Sequence, residues 1–327
     1  MKNRIKKITA TALAALTALT VCACSTTQPE SVFDNPRPWH NDSGSYEKLS
    51  YGVTVYDTTQ GVTDDKRVAI ASGAMTFELN ESLARESTAL NMRFSVTYND
   101  LAPEADRGLT DEITSSVTFS TASLAAQRME KTVSLADRRD AENLSYSITA
   151  DYHGDHTATY KALKTDATQK TLELPKNVCK DNEMMLFLAR AQTLTPGSSS
   201  MFRMVNIFES FQIGSVTEYT IYSQTAADLV TLDLGDFVKD YGVEAVVNEE
   251  TGETTYPISC YGVSVGMSGD KSGPPYSVMY TEKPFVIGNK SHYKIPVRIS
   301  YSEYRSNRAY RYTEYTLDSC VFEKPQA

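Results

Sequence analysis

Residues 90–98, LNMRFSVTY, set Leu90, Met92, Phe94, Val96 and Tyr98 against Asn91, Arg93, Ser95 and Thr97 almost without fault. A period of two belongs to an extended chain with one buried and one wet face. The pattern returns in Tyr51, Val53 and Val55, in Met75, Phe77 and Leu79, in Ile113, Val117 and Phe119, and in Val133 and Leu135. Strands that bury a single face this often are antiparallel strands. The chain is therefore expected to be mainly β, a curved antiparallel sheet or open β-barrel. Residues 46–327 read as a single β-rich domain, built as one sheet or as two sub-sheets meeting near residues 181–200.

One stretch breaks the pattern. DNEMMLFLARAQTLTPGSSSMF, residues 181–202, reads as a short helix that is apolar round most of its circumference. Asp181 or Asn182 can cap its first turn, and Glu183 places negative charge where the free N–H groups point. Thr195, Pro196 and Gly197 stop it. About a dozen residues make a marginal helix in water, so burial has to hold it. It is placed centrally, on the concave face of the sheet. Its apolar residues are core, with a sharper alternative in which Met184, Met185, Phe187 and Leu188 form an adaptable wall for an apolar ligand.

Two hairpins carry specific expectations. In residues 144–163, a two-residue Gly154-Asp155 turn sets His153 directly across from His156, with Asp151 on the same face, which is a candidate metal site. A loop one residue longer separates the histidines and puts Ala158, Tyr160 and Ala162 in phase with Tyr146, Ile148 and Tyr152. Turn chemistry favours the first register and burial the second. In the final hairpin, Tyr293, Ile295, Val297, Ile299 and Tyr301 share a face. Tyr310 and Tyr312 are out of phase with Tyr315, Leu317 and Val321, and a bulge near Thr313-Glu314 would reconcile them. Pro296 cannot donate to a ladder, so its strand lies at an edge or is interrupted there. Residues 233–241 suggest a helical turn, and NEETGE, residues 248–253, a hairpin tip.

Catalytic chemistry is not expected. The histidines are His40, His153, His156 and His292, and G-x-S-x-G, H-E-x-x-H and a phosphate-cradling glycine loop are all missing. No cofactor is expected. A formal net charge of −9 argues against nucleic acid as a partner. Beyond the N-terminal cysteines lie Cys179, Cys260 and Cys320. Cys260 and Cys320 are the candidate disulfide, with unpaired buried thiols as the alternative.

Lys2, Arg4, Lys6 and Lys7 precede an apolar run, residues 8–21, too short to span a membrane. Val21-Cys22-Ala23-Cys24-Ser25 follows. This resembles the bacterial lipoprotein signal, which implies cleavage of residues 1–23 before Cys24, diacylation of the Cys24 sulfur, and membrane anchoring outside the cytoplasm. The membrane is the cell membrane's outer face, or an outer membrane where the cell has one. Residues 24–45, rich in Ser, Thr, Pro and Asn, then read as a flexible tether.

A wider resemblance rests on Ser123-Leu124, Lys131-Thr132-Val133, NEMMLFLARAQTL followed by Pro196-Gly197, residues 201–205 (MFRMV), residues 258–263 (ISCYGV) and the final paired strands. Together they resemble a family of uncharacterised bacterial lipoproteins and periplasmic proteins. The fold of that family is similar to the open β-barrel of the lipoprotein-localisation (Lol) carriers, a curved sheet with a helix lying in it. The chain departs from it in lacking a Pro-Ala-Gly-Thr-Phe segment before Cys260, and no ligand or catalytic residue carries over. Two functions follow as expectations: a tethered, non-catalytic protein holding an apolar or lipidic molecule between sheet and helix, or an envelope module that pairs with another protein.

Overall fold

The computed structural model describes residues 45–61, 63, 66–135, 145–154, 156–162, 166–175, 180–191, 197–206, 215–223, 229–267, 276–305 and 308–323. Cys24, the tether, Cys179 and residues 136–144 and 268–275 lie outside them. Before the helix come β1 (Tyr46–Asp57), β2 (Val68–Ser82), β3 (Ser87–Tyr98), β4 (Thr110–Ser120), β5 (Ala126–Ser134), β6 (Ser145–His153), β7 (Thr157–Ala162) and β8 (Asp166–Glu173). A 3-10 turn, Asn182–Met184, leads into α1 (Met185–Ala191). After it come β9 (Ser199–Asn206), β10 (Ser215–Ser223), β11 (Val230–Asp233), β12 (Val246–Val247), β13 (Thr254–Thr255), β14 (Pro257–Met267) and β15 (Tyr276–Thr281). β16 (Phe285–Ile287), β17 (Lys290–His292), β18 (Pro296–Arg305) and β19 (Arg308–Val321) complete the chain.

One 15-stranded sheet, in the order β8-β7-β6-β5-β4-β3-β2-β1-β19-β18-β15-β14-β10-β9 with β11 added on β14, takes strands from both sides of the helix. Neighbouring strands all pair antiparallel, and among the described residues β8 and β9 remain its two ends, so the barrel is open. Curvature follows from what the helix touches. The Tyr152 hydroxyl of β6 donates to Asp181 at the helix cap, and the Tyr280 hydroxyl of β15 donates to the Leu186 carbonyl at 3.2 Å. Those strands stand eight spacings apart in the sheet order, roughly 38 Å if flat. Ten helical residues rise only about 15 Å. The sheet must roll around the helix for both contacts to exist.

Alternation decides which residues face the helix. Leu49, Tyr51, Val53 and Val55 of β1 are buried, as are Met75, Phe77 and Leu79 of β2. At one close approach of two strands, a side chain is excluded. A Cβ on Gly73 would lie 1.9 Å from the Ser95 carbonyl oxygen and 2.7 Å from the Val96 Cα, both main-chain atoms of the neighbouring strand. Glycine is required there for close backbone approach.

The final hairpin differs from expectation. Residues 311–317 run without a bulge, so Arg311, Thr313, Tyr315 and Leu317 all face inward, opposite Asp57, Val55, Val53 and Tyr51. The register shifts instead at Tyr310 against β18 and at Asp318 against β1. Tyr312 faces outward because it has partners there: its ring meets Tyr56 at 6.1 Å, with the Arg67 guanidinium over it at 4.7 Å. The second shift turns Cys320 inward and leaves Val321 exposed. Pro296 opens β18 at a bulge against Tyr280, inside the sheet rather than at its edge. A 3-10 turn, Asp236–Tyr241, and the β12–β13 hairpin around residues 248–253 fall where the sequence placed them.

Gly73→Ala should lower the unfolding free energy by about 1–3 kcal/mol or more. Chemical denaturation followed by far-UV circular dichroism would measure it, and an unchanged midpoint would show that the strands can part to admit a methyl group.

Candidate functional site

The helix is held at both ends by buried charge. At its C-terminal end Arg190 is 1% exposed. Its Nη1 and Nη2 donate to the two carboxylate oxygens of Glu47 on β1, Nη2 at 2.9 Å. Its Nε and Nη2 also donate to the Tyr293 carbonyl at 3.0 and 2.8 Å. A two-pronged arginine–carboxylate pair with its remaining donors satisfied is the geometry in which a buried ion pair survives its desolvation cost. His292 lies beside it, buried and stacked on Phe322 at 3.9 Å, with Nδ1 4.0 Å from Glu47.

At the N-terminal end Asp181 caps the helix by accepting the Glu183 N–H at 2.8 Å. Its backbone bridges to Val205 of β9, and the Val205 N–H donates to the Lys180 carbonyl at 2.7 Å. With Tyr152 of β6 bound to its carboxylate, Asp181 joins β9, one end of the open sheet, to a strand near the other end. Burial pushes the Asp181 carboxyl up to about 7, with the Glu183 charge adding to the rise and Tyr152, the Glu183 N–H and Lys131 opposing it. Lys131 of β5 pairs with Glu183 at 2.6 Å.

Between these anchors the helix is largely covered, with Leu186 keeping part of its surface accessible. Met184, Phe187 and Leu188 expose nothing and Met185 only 8%, with the Phe187 ring 5.0 Å from Phe119. These four residues present no wall to a ligand; they fill the barrel's core. The accessible part of the inner face lies beside the helix. Met92 and Phe94 of β3, Ile113 of β4, Tyr276 of β15, Tyr301 of β18 and Tyr315 of β19 point inward yet keep part of their surface accessible. Tyr276 and Tyr301 lie 4.6 Å apart, and Phe94 meets Tyr315 at 6.1 Å although three strand spacings separate them. Among the described residues, the hydroxyls of Tyr276, Tyr301 and Tyr315 make no hydrogen bond to protein. Desolvation raises all three, Tyr301 to about 12, with neighbouring tyrosines and Glu183 or Glu303 adding to it. These groups are ringed by protein yet partly accessible. Sequence alternation marks these residues as inward-facing; it holds no sign of which inward positions the helix leaves uncovered.

The hairpin adopts the longer loop. His153 stands opposite Thr157, and Ala158 and Tyr160 pair with Tyr152 and Ala150. His156 takes the turn itself, at φ 64°. His153 Nε2 lies 3.0 Å from the Thr159 hydroxyl, and Asp151 is paired with Arg128 at 2.7 Å. The three candidate ligands do not converge, and no group of three or more metal-binding side chains occurs among the described residues. Cys260 and Cys320 are both free and buried. They sit on β14 and β19, three strand spacings apart, roughly 14 Å, far beyond the reach of a disulfide. Burial pushes both thiols up to about 12. No helix of the described residues is long and apolar enough to cross a membrane.

The fold and this inner face define an open β-barrel with a helix lodged inside it. Among solved structures it is similar to the "Beta-barrel-like Protein of Domain of Unknown Function DUF1849 from Brucella abortus", with a TM-score of 0.51, 14% identity, and coverage of 87% of this chain and all of that one. At that identity the likeness is one of fold. No protein-family model matches the chain, and no curated protein does.

Two outcomes are expected. Asp181 has an ordinary value of 3.8 and a folded value of about 7, so the folded state holds a proton that the unfolded state releases. Stability should fall as pH rises between these values and level off above them. Melting temperatures across that range should show the fall, and Asp181→Asn should flatten it. Arg190→Met should cost about 3–5 kcal/mol by stranding Glu47 in the core, whereas Arg190→Met with Glu47→Leu should recover much of that loss in denaturant titration.

Proposed function

We propose that this chain is a non-catalytic binding protein, anchored outside the cytoplasm through a lipidated Cys24, that holds an apolar or lipidic molecule against the aromatic inner face. The observation that carries this reading is the set of partly accessible inward residues, Phe94, Tyr276, Tyr301 and Tyr315, whose three hydroxyls have no hydrogen-bond partner among the described residues. Ligand sites combine apolar walls with a few placed polar groups, and this face offers both. The address is supported by the basic residues, apolar run and Val21-Cys22-Ala23-Cys24 of the N-terminus. The non-catalytic reading is supported by thiols too weakly acidic to act as nucleophiles and by a His153 ring held at a hairpin end. A second reading, an envelope protein-interaction module, is favoured by β8, which ends the sheet and offers an edge for strand addition.

The test is solvent extraction of the protein recovered from its own membranes in mild detergent, followed by mass spectrometry. A reproducible apolar molecule should be released from the wild type. It should fall at least about tenfold in Tyr315→Arg, since a central charge in an apolar site costs well over 1.4 kcal/mol. Circular dichroism would verify that the variant is folded. Equal recovery from both proteins, or none from the wild type, would remove the inner face as a ligand site.

A further inference from the structure

The opposite face of the sheet carries a second site. Across β1–β4, register places Lys48 beside Glu78 and Glu78 beside Asn91, with Arg93 beside Thr114 one row over. These outward side chains, with Glu130 of β5, line an open trough of about 700 Å³, the size of a small-molecule site.

Hydrogen-bonding capacity in this trough is lopsided. Its carboxylates have neighbours of their own: Glu78 lies near the Tyr46 hydroxyl, and Glu130 is held by Arg128 at 2.8 Å. Of its three cations, Lys131 is taken by Glu183 at 2.6 Å, whereas Lys48 and Arg93 are not engaged. Among the described residues, neither Lys48 nor Arg93 makes a hydrogen bond or ion pair, although Lys48 stands in register with Glu78. An ammonium brings three N–H donors and no acceptor, and a guanidinium five in a planar fork that matches an oxyanion. The surrounding hydroxyl and amide groups can give or accept. Lys48 and Arg93 thus bring unused donors to the trough, within a chain whose net charge is −9. Such a surface suits an acceptor-rich anion, with room for more than the anion alone.

We propose that this trough binds a phosphate- or sulfate-bearing polar molecule, with Arg93 gripping the oxyanion and Lys48 and Asn91 contacting the rest. Lys48, Glu78, Asn91 and Arg93 belong to the face opposite the aromatic one, and the trough shares only bordering residues such as Met92 and Lys131 with the inner face. Arg93 is exposed, and its outward side chain belongs to the face opposite the core. Its neighbours in register, Thr76 and Thr114, leave the guanidinium open to a ligand.

Isothermal titration calorimetry of the full-length protein in neutral detergent tests it, with glycerol 3-phosphate, inorganic phosphate, and mixed micelles of phosphatidylglycerol or phosphatidylcholine as probes. Saturable binding of glycerol 3-phosphate is expected, weakened about tenfold or more in Arg93→Gln and less in Lys48→Gln, with both melting temperatures unchanged. Binding of inorganic phosphate as tight as that of the ester, lost in the same variant, would support the grip of Arg93 alone. Binding of phosphatidylglycerol micelles but not the soluble probes, again lost in Arg93→Gln, would assign the oxyanion to a lipid headgroup. Saturable binding that both variants retain, or no saturable binding to any probe, overturns the proposal.

Discussion

The ion pair between Arg190 and Glu47 is the contact on which the architecture rests. It joins the end of a ten-residue helix to the first strand of the domain, 143 residues away in sequence, inside a region closed to water. A helix that short has little stability of its own. Its register inside the barrel is set by where the guanidinium can find two carboxylate oxygens and the Tyr293 carbonyl at once. Apolar contacts such as Phe187 on Phe119 fill the space but would tolerate small slides. A buried two-pronged ion pair does not, because each broken bond leaves charge without solvent.

Asp181 completes the arrangement at the other end. The sheet has fifteen strands and does not close, and open edges are a liability in any β protein. Here Lys180 and Asp181 lie along β9 as a short parallel addition, while the Asp181 carboxylate takes the Tyr152 hydroxyl from β6. One residue thus caps the helix, covers part of an edge and links the two flanks of the sheet. The burial that makes this possible also raises its pKa towards neutrality, which makes the seam sensitive to pH.

These two anchors divide the inner face. On the helix side Met184, Phe187 and Leu188 are packed as core; beside it, Phe94 and three tyrosines keep accessible surface and unbonded hydroxyls. On the outer side the polar alternates of the same strands form the trough. Both candidate sites therefore come from the same period of two, read from opposite faces.

Much of this was legible in residue order. Alternation is local, so the strands around Leu90–Tyr98 and Tyr51–Val55, the helix beginning at Asp181, and the turn at Asn248 follow from spacing and capping chemistry alone. The sequence also favoured the longer loop after His153 through the burial of Ala158 and Tyr160. What it could not determine were matters of distance between segments far apart in the chain. Cys260 and Cys320 are kept apart by the strand order, the phase of β19 is set by Tyr56 and Arg67 waiting on the outer face, and Glu47 becomes the partner of Arg190 only once the sheet has rolled up. Whether an inward tyrosine is sealed or open depends on how far a ten-residue helix reaches across a curved sheet. Period and propensity act over a few residues, whereas coverage, register and charge pairing depend on the whole surface brought together by folding.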